Sequence, residues 1–213
     1  AVSPGWAVQI GLDAVLFVMA VMGGRVIPMF SNNGAPGTDA QRLPALEQAA
    51  LGSVLALLAA DLLGLQGLPL ALLAAAAGVL HAARLALWHP WRTRRVPLVW
   101  VLHLAYAWIP VHLLLRAGAA LDAVAPSLAT HALTAGAIGG LTIGMMTRTA
   151  RGHLGRPLRA DRAEVAMYGL VAAGALLRVA VPALVPAWTV AAVAVSGLLW
   201  AAGFALYAGR YGP

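Results

Sequence analysis

The chain has 213 residues, 62% of them hydrophobic and only 10% charged, where a soluble domain carries about 25% charged residues; a water-soluble globule is excluded. All 14 basic residues are arginine and the net charge is +7, but the arginines cluster between apolar stretches, which is the pattern of a membrane protein's cytoplasmic face and excludes a nucleic-acid surface. The absence of cysteine excludes disulfides, thiolate-held metals and iron–sulfur clusters, and the absence of lysine excludes a retinal Schiff base.

Any metal or haem must therefore be held by His, Met, carboxylate or Tyr. Apolar stretches of about 20 residues are long enough to cross a bilayer as helices, and they are predicted at Gly5–Pro28, Pro44–Gly64, Leu68–Trp88, Pro97–Arg116, Pro126–Ala150, Arg162–Val181 and Pro186–Tyr207. The expected fold class is all-α: a polytopic transmembrane helix bundle of about seven spans forming a single domain. Ala1 precedes the first span without a Met or a basic stretch, so the start reads as a cut end and not as a signal peptide.

Within the first span Asp13 lies deeper in the membrane than Asp61, and it reads either as a functional carboxylate or as a solvated or capping residue. The Gly23–Gly37 stretch is expected to end the helix near Pro28 and to turn at Asn33-Gly34 and Pro36-Gly37. Arg25 sits just inside the membrane, positioned either to meet an anionic group or to snorkel to the interface. Asp61, at the end of the second span, reads as a solvated or capping residue.

The third and fourth spans carry the most informative pair. His81 lies roughly 10 Å and His103 roughly 9 Å from the inner ends of their antiparallel helices, so the two are at matching depth. His81, Arg84 and Trp88 share a face, as do His103, Tyr106 and Pro110. His112 is on the opposite face from His103, near the outer surface with His131, Asp13 and Asp61, and these form a second candidate cluster. His89 and His153 fall in the arginine loops and read as solvated.

In the fifth span Gly136, Gly140 and Gly144 make a small-residue seam for a closely approaching helix. Projected as an α-helix, the other side collects His131, Thr134, Ile138, Thr142 and Met145, a polar and soft face expected to look into the protein; hydrogen-bonded helix contacts are the simpler account of the same residues. Twelve arginines fall on one side of alternating spans, leaving Arg116 and Arg178 on the other, so the N-terminus is expected outside and the C-terminus in the cytoplasm. Trp6 and Trp188 are then expected at the outer interface, Trp88 and Trp91 at the inner.

Several spaced motifs in one order carry a family resemblance: Gly23-Gly24-Arg25-Val26-Ile27-Pro28, His81-x-x-Arg84-x-x-x-Trp88, Trp100-x-x-His103-x-x-Tyr106-x-Trp108, His131-Ala132-Leu133-Thr134 with the glycines, Met145, Met146 and Arg148 that follow, and Gly152-His153-x-Gly155-Arg156-Pro157-Leu158. Over nearly the whole chain these resemble the NnrS family. The resemblance implies a bacterial inner-membrane protein containing haem and copper and connected with the response to nitric oxide, its partners being the lipid bilayer and nitric oxide or a related small ligand. Members of that family also carry a front half with a Trp-His-x-His-Glu-Met motif, absent here, so the chain is expected to be a C-terminal half whose N-terminal helical half is missing. With haem and copper in mind, His81 and His103 are the candidate haem ligands, with Arg84, Tyr106 and Arg25 beside the cofactor. His131, Met145, His112 and Asp13 are the candidates for a separate metal site. Two other readings stand beside this one: a transporter or channel for a small ligand or metal ion, and a structural bundle whose polar groups only join helices.

Overall fold

The computed structural model describes residues 4–212, apart from the side chains of residues 4 and 6, so the expectation for Trp6 lies outside the described residues. Seven helices are long and apolar enough to cross a membrane: α1 (Pro4–Gly34), α2 (Pro44–Leu62), α3 (Gly67–Leu87), α4 (Pro97–Ala120), α5 (Pro126–His153), α6 (Arg162–Leu184) and α7 (Thr189–Tyr211). Proline occupies the first turn of α2, α4 and α5, where its missing N–H has no intrahelical partner to lose. α6 starts with a reciprocal cap in which Asp161 accepts from the Ala163 and Glu164 amides and Glu164 accepts from the Asp161 amide at 2.7 Å.

The first helix is longer than its glycines and proline suggest. It continues through Pro28 to Gly34, and Asn33-Gly34 are helical; the turn falls at Pro36-Gly37, where Gly37 takes φ +83°. The last turns are held from outside the backbone ladder: Ser31 donates to the Ile27 carbonyl at 2.7 Å, and the Asn32 amide both accepts from the Ala40 N–H at 2.7 Å and donates to the Ala40 carbonyl at 3.1 Å. Local side-chain bonds thus outweigh the breaker signal.

Sequential helices pack as neighbours, and α4 joins the two parts of the bundle by touching α1, α3 and α5. It is the most enclosed of the spans and α7 the least. Leu57, Leu102, Tyr106, Ile109, Leu113, Leu133 and Ile143 lie in the core, whereas Leu63, Leu72, Val190 and Leu198 point outward, as they must where the solvent is lipid.

The glycine seam of α5 lies on α4. A Cβ on Gly140 would come within 2.7 Å of the Ala105 Cβ, one on Gly144 within 2.9 Å of Leu102, and one on Gly136 would overlap the Trp108 indole. The opposite face differs from its α-helical projection, because residues Ala132–Ile138 form a π-helical turn between two α-helical segments. The wider i→i+5 spacing rotates everything after it. His131, Thr134 and Ile138 therefore face a crevice toward α6 and α7, while Met145 faces α1 and Thr142 is largely exposed.

Candidate functional site

The half of α1–α4 nearest the loops that follow α1 and α3 encloses a polar network built on Arg84. Its guanidinium meets Glu47 of α2 with two bonds, Nε to Oε1 at 2.8 Å and Nη2 to Oε2 at 2.5 Å, and donates through Nη1 to the Ala20 carbonyl of α1 at 2.8 Å and to the Tyr106 hydroxyl at 3.0 Å. Gly23 and Gly24 make room for it: a Cβ on Gly24 would overlap the guanidinium, and one on Gly23 would sit 3.0 Å from the Tyr106 ring. The Gly-Gly pair is thus a cradle for the Arg84–Tyr106 unit.

The donors in this network run in one direction. Tyr106 accepts from Arg84, so its own proton goes to His81 Nδ1 at 2.7 Å, and His81 Nε2 carries the proton that it donates to the Ala50 carbonyl at 3.2 Å. Both nitrogens of His81 are thereby used. Trp88 closes the network; it is fully buried within the bundle, packing 4.6 Å from the Tyr106 ring, 6.3 Å from His103 and 5.4 Å from the Arg84 guanidinium carbon. Trp91, by contrast, is exposed.

His103 belongs to the same region but is held differently. Ser31 gives its proton to the Ile27 carbonyl, so His103 Nε2–H donates to Ser31 Oγ at 2.8 Å. His103 Nδ1 is then an unprotonated nitrogen, buried and, among the described residues, without a hydrogen-bond partner. His112 presents the same arrangement in the other half of α4: Nδ1 bonds the Ala129 carbonyl at 2.8 Å, and the buried Nε2 has no partner among the described residues.

A second cluster, toward the opposite end of the bundle, gathers around Arg116. Its Nη1 donates to Asp13 at 2.7 Å and its Nη2 to Asp61, while Gln9 donates to Asp13 at 3.0 Å. Asp61 is therefore a buried ion-pair partner and neither solvated nor a cap. One guanidinium serving two carboxylates is electrically balanced only when a proton is held there as well. His112 is one helical turn from Arg116 and within its electrostatic reach.

The two predicted groups come together only in part. His81, Arg84 and Tyr106 form one network with His103 adjoining it through Trp88, but Arg25 points outward and takes no part. Asp13 and His112 share the Arg116 region; Met145 does not reach His131, the two being about 20 Å apart along α5. His153 is exposed as expected, whereas His89 is bonded through Nδ1 to the Asp39 carbonyl at 2.9 Å.

Glu47, Ser31 and Glu164 are buried polar partners that pattern reading passed over. Glu164 is fully buried and pairs with Arg151 through Nε at 2.8 Å and Nη2 at 3.1 Å, with the Tyr211 hydroxyl completing it. The signal was charge: an arginine at membrane depth calls for a carboxylate or a backbone carbonyl, and the chain has only seven acidic residues to choose from.

Among the described residues no three His, Cys, Asp or Glu side chains converge as a metal-binding group. The open nitrogens of His103 and His112 nonetheless have the chemistry of metal ligands, since a ligating histidine characteristically donates its other ring N–H to a neighbouring oxygen. They fit as single ligands and His81, with both nitrogens bonded, does not. A 310 Å³ cavity lies near the Arg84 network, lined by Met19, Met22, Gly23, Ile27, Leu102 and Met145, and His103 is not part of its wall.

Compared with known proteins, the chain matches the family model described as NnrS protein over residues 1–213. No curated protein and no solved structure matches it significantly.

Proposed function

Because the chain belongs to the NnrS family, we propose that this multi-pass membrane protein binds haem and copper in the bacterial inner membrane and serves the response to nitric oxide. The observation that carries the reading is the pair of buried imidazole nitrogens, His103 Nδ1 and His112 Nε2, each without a partner among the described residues while the ring's other nitrogen is fixed by an oxygen. Leaving such a nitrogen unmatched in a membrane interior is costly, and a metal ion removes the cost.

In this reading His103 is the haem ligand and His112 a copper ligand, the remaining donors coming from outside the described residues, such as the N-terminal helical half. Bound iron or copper supplies a coordination position for nitric oxide or a related small ligand. The chain's own residues orient and insulate: Ser31 fixes the His103 ring, Trp88 excludes water on one side, and Glu47 neutralises Arg84 so that no bare charge faces the ring.

The test is the absorption spectrum and metal content of protein purified from membranes. A Soret band is expected, lost or shifted in His103→Ala, while His112→Ala keeps the band and loses copper. His81→Ala should lower stability and leave the band in place. A haem spectrum and a copper content both unchanged in the His103 and His112 variants would overturn the assignment, and metal without haem would favour the transport reading.

A further inference from the structure

The π-helical turn of α5 opens a crevice that the metal reading does not use. Its volume is 470 Å³, and its walls come from three helices near one end of the bundle: His131, Thr134 and Ile138 of α5, Arg178 of α6, and Ser196 and Trp200 of α7. Every lining residue belongs to a membrane-spanning helix, so an occupant arrives from the bilayer.

Charge separates this crevice from the other polar sites. Arg84, Arg116 and Arg151 each have a carboxylate. Among the described residues Arg178 has none; its one hydrogen bond is from Nη1 to the Val193 carbonyl at 3.2 Å, which leaves most of the guanidinium's donors open. His131 stands close enough to feel that charge, and no acidic residue lines the space. A cation adds a second positive charge here; an oxyanion removes the imbalance and fills the open donors. Thr134 and Ser196 spend their hydroxyl protons on the Thr130 and Val193 carbonyls, and the rest of the wall is apolar, formed by Ala135, Ile138, Gly174, Gly197 and Trp200, which suits hydrocarbon and not a hydrated ion.

We infer that this crevice binds the anionic headgroup of a membrane lipid, with Arg178 on the oxyanion and the acyl chain along α7. The glycines provide a clean test. A Cβ on Gly174 would meet the Ser196 carbonyl at 2.9 Å, but one on Gly197 meets nothing within 4 Å, so Gly197→Leu fills the crevice without forcing backbones apart.

Delipidated protein is to be placed in nanodiscs of phosphatidylcholine with a minor fraction of phosphatidylglycerol, and the lipid it retains on re-extraction measured by mass spectrometry. About tenfold enrichment of phosphatidylglycerol is expected, the size of one desolvated charge-assisted contact. Arg178→Gln and Gly197→Leu should each abolish it. The second variant matters because the arginine loops also attract anionic lipid, and Gly197→Leu changes no charge. Absence of enrichment in the natural protein, or enrichment intact in Gly197→Leu, overturns the inference. Displacement of phosphatidylglycerol by millimolar inorganic phosphate would make the occupant a free oxyanion and overturn the lipid assignment.

Discussion

Arg84 shows how a single charged side chain at membrane depth organises its surroundings. Three helices give it partners, Glu47 from α2, Ala20 from α1 and Tyr106 from α4, and two glycines leave the space that it and the Tyr106 ring occupy. Removing one member of a buried ion pair strands the other charge, at a cost of about 3–5 kcal/mol. Glu47→Gln is therefore expected to destabilise the protein by that order in a detergent denaturation series, whereas the double variant Glu47→Leu, Arg84→Met should recover most of the loss by removing both charges. Equal destabilisation of single and double variants would show that packing around Arg84, and not its charge pairing, sets the stability. Part of this was legible beforehand: the 3-residue and 4-residue spacings placed His81, Arg84 and Trp88 on one face. Glu47 was hidden because an acid in the first turn of a helix already has a local explanation in the helix dipole, and the partner relation spans 37 residues.

At the scale of the element, α5 follows its sequence in one half and departs from it in the other. The glycine seam was readable because four-residue spacing survives on the α4 side, where Gly140 lies against Ala105. The polar line from His131 to Met145 was not, because projection assumes one turn angle throughout and the π turn changes it at Ala132–Ile138. No residue in that segment announces a π turn by type. Gly140→Leu is expected to separate α5 from α4 and lower detergent stability by about 1–3 kcal/mol or more, since even a methyl group there is too close to Ala105. Ile138→Leu, at the edge of a crevice, should be tolerated. Matching thermal transitions for the two variants would mean that the α4–α5 contact is dispensable.

For the whole molecule the remaining question is which way the bundle faces the membrane. An odd number of crossings among the described residues puts the start of α1 and the end of α7 on opposite sides, and the number of spans was legible because length and hydropathy largely determine it, although α1 runs past its expected end at Pro28 to Gly34. Orientation depends on arginine, and the structure changes which arginines count. Arg84 and Arg151 are buried against Glu47 and Glu164, and Arg116 against two aspartates, so these three are internal ion-pair members and not free loop charges. Setting them aside leaves ten arginines at the end carrying the loops after α1, α3 and α5, and Arg178 alone at the other. The bias is stronger than the raw count, and it favours a cytoplasmic C-terminus. A reporter fused after Tyr211 should accordingly be active in the cytoplasm and silent in the periplasm, and one inserted between α6 and α7 should do the opposite. Moving the bias tests its cause: replacing Arg92, Arg94 and Arg95 of the α3–α4 loop with glutamine should lower the fraction of correctly oriented chains, whereas Arg116→Gln should reduce stability and leave orientation unchanged. A C-terminal reporter active in the periplasm of the natural chain would reverse the assignment and place the Arg178 crevice in the cytoplasmic leaflet.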